Sequence, residues 1–169
     1  MKSLSVKLEV ILIGLIIFGY SEAWGSESKR PTLLGLRGVY VLIENLKPNL
    51  EKDGLTREQL LTDVELKLRK AGIRVLTEEE SYNTPGLPCL YARINAIKGN
   101  STFYCVNIHV SLSQETRLER NPTIKILSFT WDHSSIGGCD ESIIKDYVRK
   151  GLGDLIDKFI NDYLAVNPK

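Results

Sequence analysis

The chain holds little with which to do chemistry. It has two histidines, His109 and His133, and three cysteines, Cys89, Cys105 and Cys139. Two histidines argue against a histidine-based metal site, and the cysteines lack the close pairs that zinc sites use. No glycine-rich phosphate loop and no nucleophile-elbow motif is present. Charge of neither sign dominates: 22 Lys and Arg stand against 21 Asp and Glu, for a net charge of +1. Such a balance supplies no attraction for nucleic acid or for an anionic membrane surface. After residue 20 there is no apolar run long enough to span a bilayer, no internal repeat and no low-complexity tract. No residue cluster commits the chain to a reaction, so no catalytic, cofactor-binding or metal-ligating residue is assigned from the sequence.

What is present begins at the N-terminus. Lys2 and Lys7 form a basic region, residues 10–20 are uncharged and apolar, and Ser21 and Ala23 place small residues at the −3 and −1 positions of a cleavage site. That is the order of parts in a secretory signal peptide. The apolar run is about half the roughly 20 residues a spanning helix needs. Cleavage after Ala23 is expected, making 1–23 a signal, with Trp24 as the mature N-terminus; retention as an anchor is the competing reading. Roughly 146 residues remain, a size that suits one domain with a core. No cysteine follows the cleavage site, so no bacterial lipid anchor is expected there. Residues 24–32 are small, polar and end near Pro31, and read as a flexible lead-in to a single domain over 33–169. Asn100, Ser101 and Thr102 form an N-glycosylation triplet, which matters only in a eukaryotic source; a bacterial source is the preferred reading.

Periodicity supplies the elements. Residues 36–46 are β-rich, with Val39, Val41 and Ile43 on one face and Tyr40 and Leu42 on the other, as in an internal strand, and Lys47, Pro48 and Asn49 end it. Thr56 stands three residues before Gln59 and Leu55 can staple onto Leu60, so a helix starts there. Leu60, Leu61, Val64, Leu68 and Ala71 form its stripe and Gly72 its stop. Residues 73–76 make a second strand, parallel to the first through a right-handed crossover. Residues 77–88 read as a long loop. Leu90, Ala92, Ile94 and Ala96 alternate, then Val106, Ile108, Val110 and Leu112, with Tyr91, Arg93, Asn95, Cys105, Asn107 and His109 on the opposite face. A turn near Asn121 and Pro122 leads to a strand over 124–131 that is apolar on both faces. Residues 132–140, with Gly137 and Gly138, read as a loop, with Asp140 as an N-cap. A helix of about six turns follows, from the recurrence of Ile143, Tyr147, Leu155, Phe159 and Tyr163, and ends before Asn167.

The expected fold is therefore α+β: a five-stranded mixed sheet in the order β-α-β-β-β-β-α, with both helices on one face. Leu60, Val64, Leu68, Val106, Ile108, Leu152, Leu155, Ile156 and Phe159 are the expected core. The other sheet face, half polar, is where a partner would bind.

Four residue groups hold some chemistry. Asp132, His133 and Ser134 are the residue types of a hydrolase triad, but a triad needs side chains converging from separate elements, and neighbours in sequence point apart. Cys139 precedes a helix, whose N-terminus lowers a thiol pKa, and His133 lies upstream as a candidate base. The alternatives for Cys139 are a disulfide to Cys105 or an inert thiol. Glu78, Glu79 and Glu80 read as a solvated acidic loop or a first helical turn rather than a cation site. Tyr91, Phe103 and Tyr104 with Arg93 are the residue types of a stacking platform for RNA, which export and neutral charge argue against.

Three segments have the look of a family: 52–56, 118–122 with Thr130 and Trp131, and 159–168. Together they resemble a group of small uncharacterised exported bacterial proteins, which brings no known active site. In element order the chain also resembles envelope-assembly domains: the lipopolysaccharide-assembly lipoprotein that plugs its outer-membrane barrel, and the N-terminal domain of the Tol-system propeller protein. The assembly lipoprotein carries an acylated N-terminal cysteine that this chain does not share. The resemblance implies a periplasmic or secreted, non-enzymatic interaction or assembly module with a protein partner in the cell envelope. A small-ligand or lipid carrier lidded by 77–88, and a thiol enzyme using Cys139, are the other two readings.

Overall fold

The computed structural model describes residues 29–99 and 102–168. The expected signal with its cleavage site, and Asn100 and Ser101 of the glycosylation triplet, lie outside the described residues. The strands are β1 (Val39–Ile43), β2 (Val75–Leu76), β3 (Cys89–Lys98), β4 (Phe103–Leu118) and β5 (Asn121–Asp140). The helices are α1 (Pro48–Lys52), α2 (Arg57–Lys70), α3 (Glu78–Tyr82) and α4 (Ile144–Val166). The fold is α+β, with one five-stranded mixed sheet in the order β2-β1-β3-β4-β5. β1 runs parallel to both β2 and β3, and β3, β4 and β5 form an antiparallel meander.

The long helices form where their punctuation lies. The Thr56 hydroxyl accepts the Gln59 N–H at 3.2 Å, satisfying a donor at the start of α2. Leu60, Val64 and Leu68 of α2 are buried, as are Ile144, Val148, Leu152, Leu155, Ile156 and Phe159 of α4. These join Val39, Val41, Ile43, Leu90, Ala92, Ile94, Val106, Ile108, Val110 and Leu112 in one core, which contains all nine residues expected from periodicity. A methyl group at Gly151 would come within 2.7 Å of Ile108 Cδ1, so a larger residue there would have to displace the end of that side chain.

Four expectations are corrected. Residues 132–140 are no loop but the last part of a 20-residue strand. Gly137 and Gly138 are small there because of packing: a Cβ would strike Tyr147 Oη at 2.1 Å and the Phe103 ring at 2.5 Å. Residues 77–88 contain α3, whose Thr77 accepts the Glu80 N–H while the Glu80 carboxylate accepts the Thr77 N–H, a complete capping box. Lys29 to Thr32, expected in the lead-in, are held against the body. A 3-10 turn covers Arg30–Leu33, Lys29 pairs with Asp132, and Arg30 donates to the buried Asp162 at 2.6 Å. Pro48, expected only to end β1, opens α1 at the position where its missing N–H costs nothing. Asp140 does cap, through the Ser142 N–H at 3.0 Å, but it caps a 3-10 turn over Glu141–Ile143 that leads into α4.

Candidate functional site

The last pairing of β3 with β4 is Cys89 with Ser113, yet β4 runs on to Leu118 and β5 begins at Asn121. Beyond a single bond from the Glu115 N–H to the Gly86 carbonyl, the hairpin is therefore two-stranded. At about 3.3 Å per residue it reaches on the order of 15 Å past the sheet. Among the described residues no helix or third strand buries this arm, and its apolar side chains stand in solvent on both faces. Leu127 and Phe129, opposite Glu115 and Ser113, are 64% and 61% exposed on the face away from the helices. Ile124 and Ile126 are 41% and 42% exposed on the other. The doubly apolar strand predicted over 124–131 is thus no core strand along most of its length; Trp131, at its base, is the part that turns inward.

The face of the sheet opposite the helices continues from the arm. Its middle is polar: the Tyr91 hydroxyl donates to Glu44, Arg93 lies 3.9 Å from the same carboxylate, and His109 Nε2 is 3.7 Å from Asp132 Oδ2. Its far end is apolar, with Ile97, Phe103 and Ile136 all exposed. Lys29 holds the Asp132 carboxyl below its usual range, chiefly by hydrogen bonding. His109 meets Phe129 edge-on at 6.2 Å, joining the polar middle to the arm.

The triad residue types do meet, but with a different histidine. His133 faces the helices beside Trp131, with ring centroids 4.9 Å apart, and burial pushes its imidazole below the ordinary value. His109, from β4, is the histidine next to Asp132. The set stops at that pair: among the described residues no serine hydroxyl bonds His109, and Ser111 Oγ is buried without a partner. Ser134, the serine of the sequence triplet, is exposed and lies opposite His109 in the β4–β5 register.

The cysteines are separated by the pleat. Cys105 pairs in register with Gly138 and Tyr104 with Cys139, so Cys105 faces the open side while Cys139 faces the core. All three thiols are free, and the bridge from Cys105 to Cys139, one of the alternatives for Cys139, does not form. Burial, and then the Asp140 charge, push the Cys139 thiol up, the opposite of activation. Four residues separate it from the start of α4, too far for the helix terminus to act. Cys89 is pushed up to about 11 by burial.

The stacking set is split as well. Tyr104 turns into the core, donating to Asp53 at 2.7 Å, while Tyr91 and Phe103 lie on the open face. Glu78, Glu79 and Glu80 form the first turn of α3, where carboxylates complement the helix terminus. Among the described residues no acidic, histidine and cysteine side chains gather as a metal site. Two grooves border α4, about 270 Å³ against α2 and about 290 Å³ against β5. Both are at or below the smallest size usual for a ligand site, and neither lies under 77–88. The arm escaped the sequence reading because alternation shows that a face is apolar, not that anything covers it; the nearby Asn121 and Pro122 turn was its only local sign.

The chain matches no protein-family model and no curated protein. Among solved structures it is similar to a minor lipoprotein from Acinetobacter baumannii, at 11% identity and a TM-score of 0.39, over 79% of this chain and 95% of that one. No helix among the described residues is long and apolar enough to cross a membrane.

Proposed function

We propose that the protein is an exported, non-enzymatic interaction module that binds a protein partner of the cell envelope through the β4–β5 arm and the adjoining open sheet face. The observation that carries this reading is the exposure of Leu127 and Phe129 on one face of the arm and Ile124 and Ile126 on the other. A two-stranded ribbon has little stability of its own, and exposed apolar side chains on both faces lower its solubility without adding to its fold. A partner that covers them gives those residues a use. Export rests on Lys2, Lys7, the apolar residues 10–20 and the small residues before Trp24.

The test is recovery of the partner from crosslinked envelopes. The wild-type chain should bring down one stoichiometric envelope protein, and the double variant Leu127→Ser with Phe129→Ser should lose it while keeping its melting temperature. Retention of the same partner by the double variant would defeat the reading. So would a small molecule or lipid in native mass spectra with no protein, which belongs to a carrier.

A further inference from the structure

The two edges of the sheet are managed differently. β2 is an edge of two residues, too short to recruit another strand. β5 is an edge of 20 residues. Near its middle the edge is closed by the N-terminal 3-10 turn: the Thr32 hydroxyl donates to the Thr130 carbonyl at 3.2 Å, and Lys29 pairs with Asp132. From His133 to Cys139 nothing among the described residues pairs with the outer side.

The direction of the backbone there follows from two bonds. The Glu141 N–H donates to the Thr102 carbonyl at 2.7 Å, and the Asn107 amide donates to the Ser135 carbonyl at 3.3 Å. Both groups point toward β4. Because main-chain polar groups alternate sides along a strand, Ser134, Ile136 and Gly138 point their N–H and C=O groups away from the sheet. Ser134 and Ile136 are exposed, Ile136 by 85%. The pairing with β4 is regular from Asp140 to Trp131, without a bulge, and the stretch has no proline or lysine, so among the described residues none of the usual edge protections is present. Beside it runs the groove of about 290 Å³ between β5 and α4, floored by Ile108, Tyr147 and Leu155 and rimmed by Lys158 and by Lys150, which pairs with Asp154 of the same rim at 2.9 Å.

We propose that residues 133–139 of β5 are a docking edge for an extended, acidic peptide segment of a partner protein, which adds a sixth strand and points a carboxylate at Lys158. The mode is strand addition, in which main-chain bonds hold the peptide and the groove reads alternate side chains. A second copy of the chain fits poorly. Antiparallel self-pairing over the whole edge would set Asp132 opposite Asp140 of the other copy, like charges directly across. With Lys150 balanced by Asp154, the charge of Lys158 leaves the rim net positive and favours an acidic segment. This inference rests on the reading of the protein as an interaction module, and it assigns that module a second contact, apart from the arm.

The test uses the full chain and a phage-displayed library of random peptides of about 12 residues, with selected sequences resynthesised for anisotropy titration. Enriched peptides should carry Asp or Glu, and Ile136→Pro, which removes one outward N–H from an exposed edge position, should weaken them at least about tenfold. Ile136→Thr should stay within about twofold and Lys158→Glu should weaken binding several-fold. Independently of whether the proline variant folds, peptide binding to the wild type should slow exchange of the Ser134, Ile136 and Gly138 amides. The proposal is overturned by a library that yields no binder, or by binders that leave those amides unprotected. It is also overturned by an Ile136→Pro-sensitive dimer in sedimentation, or by the same amides being protected without peptide through the chain's own residues before Lys29. If the arm still captures its envelope partner in any of these cases, the edge proposal falls and the function proposed above stands.

Discussion

The two halves of the β4–β5 hairpin are built from the same pair of strands and meet opposite fates. In the inner half Tyr104, Val106, Ile108, Val110, Leu112, Trp131 and Cys139 are buried. In the outer half Ile124, Ile126, Leu127 and Phe129 stand in solvent. Alternation of apolar side chains is common to both. What differs is company: the inner half lies between β3 and α4, and the outer half has run past both. A period-two pattern thus records that a face is apolar, while topology decides whether the same chain covers it.

Substitutions should separate the halves most sharply in stability. Phe159 is fully buried and meets Trp131 edge-on at 5.1 Å. Phe159→Ala should cost about 3–5 kcal/mol in urea denaturation. Phe129→Ala, in the arm, should change stability by less than about 0.5 kcal/mol. Equal losses at the two sites would show that the arm is packed after all.

Next in size is the anchor at the hairpin's waist. The Trp131 Nε1–H donates to Asp162 Oδ2 at 2.9 Å, and Arg30 donates to the other oxygen. Asp162→Ala leaves the buried indole N–H without its acceptor and should cost about 2–3 kcal/mol. A loss under about 0.5 kcal/mol would mean that the bond contributes nothing to holding the inner half.

A smaller effect distinguishes the halves by pH. His133 sits on the core side with its pKa lowered, first by burial and then by Lys158. A group lowered in the folded state contributes stability that is present above its unfolded pKa, near 6.5, and lost as pH falls below it. The melting temperature should therefore drop between about pH 7 and pH 5, and less so in His133→Gln. Asp132 is also lowered, so its contribution is lost only below about pH 4, outside that window. An unchanged slope in the variant would remove His133 from the account.

The smallest effect is on thiol chemistry. Cys105 is exposed on the open face and Cys139 is buried with a raised pKa. Near pH 7 Cys105 should alkylate readily and Cys139 hardly at all, with reductant making no difference. Rapid alkylation of Cys139 that persists down to about pH 6 would restore the thiol-enzyme reading.

Much of the fold was legible because its signals are local. Thr56 with Gln59 starts α2, and the four-residue recurrence from Ile144 to Phe159 makes α4. The crossover followed from element order, with β1 and β2 parallel. Where the reading failed, a residue served packing while looking like punctuation. Gly137 and Gly138 look like a loop, but they are small because Tyr147 and Phe103 lie against the strand. Thr77 and Glu80 repeat the cap pattern of α2, yet α3 has too few apolar residues to show a stripe. Asp132 and His109 are 23 positions apart in sequence and meet only through the β4–β5 register, which no local pattern reveals. The arm was invisible for the same reason, since it depends on where β3 stops.

The central claim is that the outer hairpin is covered by another protein rather than by its own chain. The most direct measurement is photocrosslinking in envelope-containing cells from a benzophenone amino acid placed singly at Leu127, Phe129 and, as an isolated exposed apolar position on α2, Leu66. The account predicts one discrete adduct of the same mass from 127 and 129 and none from 66. A ladder of unrelated adducts from all three positions, or no adduct from the arm, would contradict it.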